Sequence, residues 1–179
     1  ERQVMRPGLG RKAGLGLAEI TVGKTRLLVN GAGEETYPEG TPRHETNTQF
    51  LSDLIKVLAG KTVYSAREEE DIFRAVENIL DTPPHLRSMT NLQKSLPNMG
   101  DDGLYARLRK WTSGNSLGWV FDNPVDTINL EKASIIGFDY TDVIDNPEVR
   151  VPVINYLLHR LEELIDGRPL IYVMDEFWK

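Results

Sequence analysis

The chain has 179 residues with 21 basic and 27 acidic side chains, for a formal net charge of −6, and 40% of its residues are apolar. This length and composition suit one globular core of ordinary size and leave too little chain for two comfortable domains. The absence of cysteine excludes disulfide scaffolds, Cys-ligated zinc, iron–sulfur clusters and thiol catalysis. No stretch reaches the ~18 apolar residues of a membrane span, and the acidic balance gives no strong signal for binding nucleic acid.

Charge is distributed unevenly. Residues 1–26 carry six basic side chains (Arg2, Arg6, Arg11, Lys12, Lys24 and Arg26) against Glu1 and Glu19, whereas residues 41–179 carry 15 basic and 22 acidic ones. Residues 1–40 are Gly-rich and lack sustained periodicity, so they read as an irregular basic lead-in with one strand at Thr25–Asn30. Such an arm has the charge to touch phosphates, but a solvated segment is the simpler reading. The polar N-terminus has no secretory leader pattern, which together with the missing cysteines fits a cytoplasmic chain. A start at Glu1 and a stop just after an apolar run read as a piece of something longer.

From Asn47 the pattern places elements. Phe50, Leu51, Leu54, Ile55, Val57 and Leu58 recur at helical spacing and predict a helix over about 47–58. Ser65-Ala66-Arg67-Glu68 has the form of a capping box, with Ile72, Phe73, Val76, Ile79 and Leu80 on one face behind it and Pro83-Pro84 as the stop. The acidic run Glu68–Asp71 then lies in a first turn, where the helix dipole favours it. Shorter helices are expected over 88–96 and 102–112, so residues 41–112 form a helical subregion.

Residues 113–179 change period. Gly118–Asp122 reads as a short strand ending at Asn123-Pro124, and Ser134–Phe138 as a second strand closing on Asp139. A helix near 152–165 follows, with Pro152 in its first turn and Gly167 as its cap. Pro169 leads into the apolar run Leu170–Met174. Strand, helix and buried strand make a βαβ unit, which predicts an α/β fold with 134–138 and 170–174 in one parallel sheet.

The chemistry-bearing signal is Asp175-Glu176 at the end of that last run. An apolar strand ending in Asp-Glu has the Walker B form. It carries two carboxylates rigidly to the carboxyl edge of a sheet, where one can hold the Mg²⁺ of a nucleotide and the next can activate water. The plain alternative is a solvated strand end. The phosphate loop G-x-x-x-x-G-K-[ST] does not occur: Gly23-Lys24-Thr25 and Gly60-Lys61-Thr62 have its tail without its first glycine, and both read as ordinary loops.

Other residues read more simply as structural. Trp111, Trp119 and Phe121 are expected in the core rather than stacked on bases. Asp139, Asp142 and Asp145 miss the EF-hand spacing, and His44, His85 and His159 match no zinc spacing. His159 with Arg160 near a helix end reads as a dipole partner or surface pair. Asp122 and Asp139 read as caps of their turns.

A series of spaced motifs also carries a resemblance. Gly103-Leu104-Tyr105-Ala106-Arg107-Leu108, Trp111, Gly118–Asn123 with Asp126, Gly137–Thr141, Tyr156–Arg160, Asp166-Gly167-Arg168 and Tyr172–Lys179 together resemble the core of the VirB-type traffic ATPases of type IV secretion and conjugation. The resemblance covers roughly residues 41–179. It implies part of a RecA-like parallel-sheet domain of the P-loop NTPase superfamily, with the helices over 47–112 as an insertion beside the sheet. It implies Mg-ATP as cofactor, Asp175 as the Mg²⁺-coordinating residue and Glu176 as the catalytic glutamate. It further implies a homo-oligomeric ring working with other channel subunits at the inner face of the bacterial inner membrane. Without a phosphate loop, this chain alone is expected to be inactive. A non-catalytic interaction module derived from such an ATPase is the alternative, and a metal-assisted phosphoester hydrolase using Asp139, Asp175 and Glu176 is a remote third reading.

Overall fold

A computed structural model describes residues 17–21, 42–124, 126, 128, 130, 135–162, 165, 171 and 173. The order of elements is β1 (Leu17–Thr21), α1 (Pro42–Ala59), α2 (Ala66–Leu80), α3 (Met89–Ser95), α4 (Leu104–Leu108), α5 (Gly118–Phe121), β2 (Ile135–Asp139) and α6 (Pro147–Glu162). Two 3₁₀ turns, Pro84–Leu86 and Arg109–Trp111, join them.

Helices α1 and α2 form where the helical spacing predicts them. In α1, Leu51, Leu54, Ile55 and Leu58 are all buried, and the stripe they make is packed by α2, α4 and α6. The capping box of α2 closes in both directions. Ser65 Oγ accepts from the Glu68 amide at 3.3 Å, and the Glu68 carboxylate accepts from the Ser65 amide at 2.9 Å. Ile72, Val76, Ile79 and Leu80 then face inward. The C-terminal carbonyls of α2 are met by Arg87, whose guanidinium donates to Leu80 O at 2.7 Å and to Thr82 O at 2.9 Å. The expected helix over 102–112 is α4 tightened into the 3₁₀ turn that carries Trp111.

The segment Gly118–Asp122, expected as a strand, is instead the single helical turn α5. A strand would send residues 119 and 121 to one face and 120 to the other. One helical turn buries both Val120 and Phe121 and leaves Trp119 at the surface, 37% exposed, so Trp119 is not the core residue the sequence suggested. Phe121 lies edge-on to Tyr156 with centroids 5.8 Å apart, and Trp111 is 6.1 Å from Phe121. The indole of Trp111 donates to Leu58 O at 2.8 Å, so this buried polar atom is satisfied by α1.

β1 and β2 pair in parallel, with Leu17 opposite Ile135 and Thr21 opposite Asp139. β1 falls within the stretch 1–40 read as irregular. The expected strand Thr25–Asn30 lies outside the described residues. β2 matches the expected run, shifted by one residue, and packs Ile136 and Phe138 toward the core while Ile135 is exposed. Helix α6 begins five residues earlier than Pro152 suggests. Asn146 caps it, accepting the Glu148 amide at 3.1 Å, and Pro147 takes the first position, so Pro152 sits inside the helix. Of the apolar run 170–174, Leu170, Tyr172 and Met174 lie outside the described residues, while Ile171 and Val173 are 88% and 85% exposed.

Gly118 is tight for a reason independent of φ. A β-carbon there would lie 2.3 Å from Thr112 O, against backbone that cannot swing aside. A Gly-to-Ala change in a helix ordinarily gains about 1 kcal/mol. Here the overlap outweighs that gain, and Gly118→Ala is expected to destabilise the chain by about 1–3 kcal/mol in urea unfolding. A neutral or stabilising result would refute this packing.

Candidate functional site

The parallel pair gives the molecule a defined carboxyl edge at Thr21 and Asp139, the edge where α/β sheets present ligands. Asp139 is engaged locally: its Oδ1 accepts from the Thr141 amide at 3.0 Å and from Thr141 Oγ1 at 2.5 Å, fixing the turn that leaves β2. The reading of Asp139 as a turn cap holds. Asp175 and Glu176, the two residues expected to carry catalysis and metal binding, lie outside the described residues, as does Gly23-Lys24-Thr25.

Gly60-Lys61-Thr62 is a helix end. Gly60 has φ +67° and its amide bonds Lys56 O at 3.2 Å, the left-handed cap that closes α1. Lys61 is committed to an ion pair with Glu68, the same carboxylate that closes the α2 capping box. Lys61 and the Ser65 amide hold that carboxyl well below its ordinary value, at about 2.

Asp122 is a cap, and a longer-range one than its position in sequence suggests. Oδ1 accepts from the Met89 amide at 2.9 Å. Oδ2 accepts from the Thr90 amide at 3.2 Å, Thr90 Oγ1 at 2.5 Å and the Ser113 amide at 2.7 Å. One carboxylate thus closes the N-terminus of α3 and ties down the 112–118 loop.

His159 departs from its surface reading. It is buried and stacked on Phe50 of α1, with centroids 3.7 Å apart and planes within 7°. Beside it, Arg160 pairs with Asp126 at 3.7 Å, and both side chains are largely buried. This pair was not legible in the sequence, because 34 residues separate its members and nothing local couples them. Among the described residues no three His, Asp or Glu side chains gather to hold a metal, and Asp139, Asp142 and Asp145 do not converge.

No protein-family model matches the chain. It is 41% identical over 170 residues to the type IV secretion system protein virB4 of Bartonella henselae, covering 90% of this chain and 21% of that protein. It is 34% identical over 165 residues to protein virB4 of Agrobacterium fabrum, covering 90% and 21%. It is 34% identical over 152 residues to the type IV secretion system protein PtlC of Bordetella pertussis, covering 79% and 18%. The chain belongs to the VirB4 family. It spans about a fifth of the length of these relatives. Among the described residues of this VirB4-type chain, no helix is long and apolar enough to cross a membrane.

The Lys61–Glu68 contact makes a pH prediction. Because the Glu68 pKa is lower in the folded chain than the ordinary value of 4.5, its contribution is complete above about pH 5 and fades as pH falls toward 2. Wild type is therefore expected to lose more stability between pH 5 and 2 than Glu68→Gln. Parallel acid-unfolding curves for the two would count against the pairing.

Proposed function

We propose that the chain is part of an ATP-hydrolysing motor of a type IV secretion or conjugative transfer apparatus, and that its fold belongs to a RecA-like P-loop domain with a helical insertion. The observation that carries this reading is the 34–41% identity to virB4 and PtlC proteins over most of the chain. The parallel β1–β2 pair, with the helical subregion between its strands in sequence, supports it.

In this reading Asp175 holds Mg²⁺, whose oxygen-only preference a carboxylate suits. Glu176 accepts the proton of the water that attacks the terminal phosphate. Bound Mg-ATP supplies the phosphoanhydride and the Lewis acid. The motor works as a homo-oligomeric ring with other secretion-channel subunits at the inner face of the inner membrane. The alternative, a non-catalytic interaction module, is favoured for the chain in isolation by the missing phosphate loop and by Lys61 being held on Glu68.

Three outcomes are expected. The sequence of residues 1–179 has no G-x-x-x-x-G-K-[ST] loop to offer amides to the β- and γ-phosphates, so calorimetry should give millimolar or weaker Mg-ATP affinity. A micromolar constant would contradict this. In a full-length protein carrying this segment and a phosphate loop, Glu176→Gln should lower turnover by roughly 10²–10⁴-fold while nucleotide binding survives. Asp175→Asn should weaken Mg²⁺-dependent binding as well. Wild-type turnover in Glu176→Gln would end the catalytic assignment.

A further inference from the structure

The C-terminal turn of α2 and the facing side of α3 border a groove of about 250 Å³, lined by Asn78, Ile79, Thr82, Leu86, Asn91 and Ser95. Its apolar part is Ile79, which is buried, and Leu86, which is 48% exposed. The groove is smaller than the ~300–1,000 Å³ typical of a small-molecule pocket and suits a single side chain. Its polar part has a bias. Thr82 Oγ1 donates to Ile79 O at 2.6 Å and Ser95 Oγ to Leu92 O at 2.7 Å, so each hydroxyl has spent its proton on the backbone. Asn91 Nδ2 donates to Leu86 O at 2.7 Å. What these three side chains still offer is chiefly acceptor oxygen. The end of α2 adds one more acceptor. Glu77 O takes the Asp81 amide, Ile79 O the Thr82 amide and Leu80 O the Arg87 guanidinium, whereas among the described residues Asn78 O takes none.

We infer that this groove is a docking site for an extended segment of a partner chain, which lays one aliphatic side chain on Ile79 and Leu86 and turns its backbone N–H groups toward the acceptors. The chemistry selects against other occupants. Phosphates and carboxylates would set acceptors against acceptors. A helix has spent its N–H groups internally and has none to give along its length. A cation gains no net field, because Glu77 and Asp81 are matched by Arg87 and Lys94 among the residues next to the lining ones in sequence. An extended chain meets both demands: its side chains alternate, so one anchor points inward while the backbone runs along the rim with its N–H groups available. The site is made by α2, the 84–86 turn and α3 alone, and it does not depend on the proposed hydrolysis of ATP.

N-acetyl-leucine N-methylamide, one aliphatic side chain between two N–H donors, is the probe. In an amide-resolved NMR titration of residues 1–179 it is expected to bind with a Kd on the order of 1 mM, shifting amides within 78–82 and 86–95 and leaving those of α6 unmoved. N-acetyl-leucine methyl ester has lost one N–H and should bind about threefold to tenfold more weakly. N-acetylglycine N-methylamide has lost the anchor and should bind about tenfold more weakly or worse. Thr82→Val combined with Ser95→Ala removes two acceptors at nearly constant shape, and in that protein the methylamide and the ester should bind alike. Ser95→Ala alone, at an exposed position, should narrow the same difference and keeps the comparison available if the double variant fails to fold. No localised shifts up to about 20 mM probe, shifts scattered over the surface, or equal affinity of the wild type for methylamide and ester would overturn the inference.

Discussion

Burial of one helix face organises the described structure. Leu51, Leu54, Ile55 and Leu58 of α1 are at or below 2% exposure, and α2, α4 and α6 all pack on this helix. At about 25 cal/mol per Å² of apolar surface, such a stripe is the largest single favourable contribution a helix of this length can make. It also restricts its neighbours. Trp111 reaches α1 and must find Leu58 O for its indole N–H, which sets the depth of the 109–111 turn. Phe121 and Tyr156 then close over Trp111, so the start of the last third of the chain is built on the same helix.

The polar groups drawn inward are there to satisfy helix ends. Arg87 is 2% exposed, and it meets the carbonyls of Leu80 and Thr82. Asp122 meets the amides that open α3 and the loop after Trp111. Each replaces water that the packed helices exclude, and an unmet buried backbone group would cost about 1–3 kcal/mol. The Asp122 contacts support the short helix α3, which propensity alone would not sustain in isolation.

Ile136 and Phe138 of β2 pack on this helical body, and α6 contacts it at both ends. Lys110 pairs with Glu148 near its start, and the His159 stack and the Arg160 pair hold its end. Gly60-Lys61-Thr62 is likewise built into helix ends: its glycine closes α1 and its lysine pairs with the glutamate that caps α2.

The sequence by itself determined the features whose causes are local. Helical spacing located α1 and the buried face of α2, the Ser65–Glu68 box located the start of α2, and the run of apolar residues located β2 to within one residue. The motif series also pointed to the secretion family that the relatives bear out. Tertiary structure decided the rest. Gly118–Phe121 has strand-like composition but coils because that buries both Val120 and Phe121, with Phe121 against Trp111 and Tyr156. Asn146-Pro147 starts α6 upstream of Pro152 because an asparagine cap before proline is the stronger opening, and the buried body of the helix tolerates one missing N–H. β1 has no strong strand signal and exists through its partner, since a parallel ladder takes all its hydrogen bonds from residues distant in sequence. The stacking of His159 and the pairing of Arg160 with Asp126 likewise depend on elements meeting in space, and no spacing along the chain encodes that meeting.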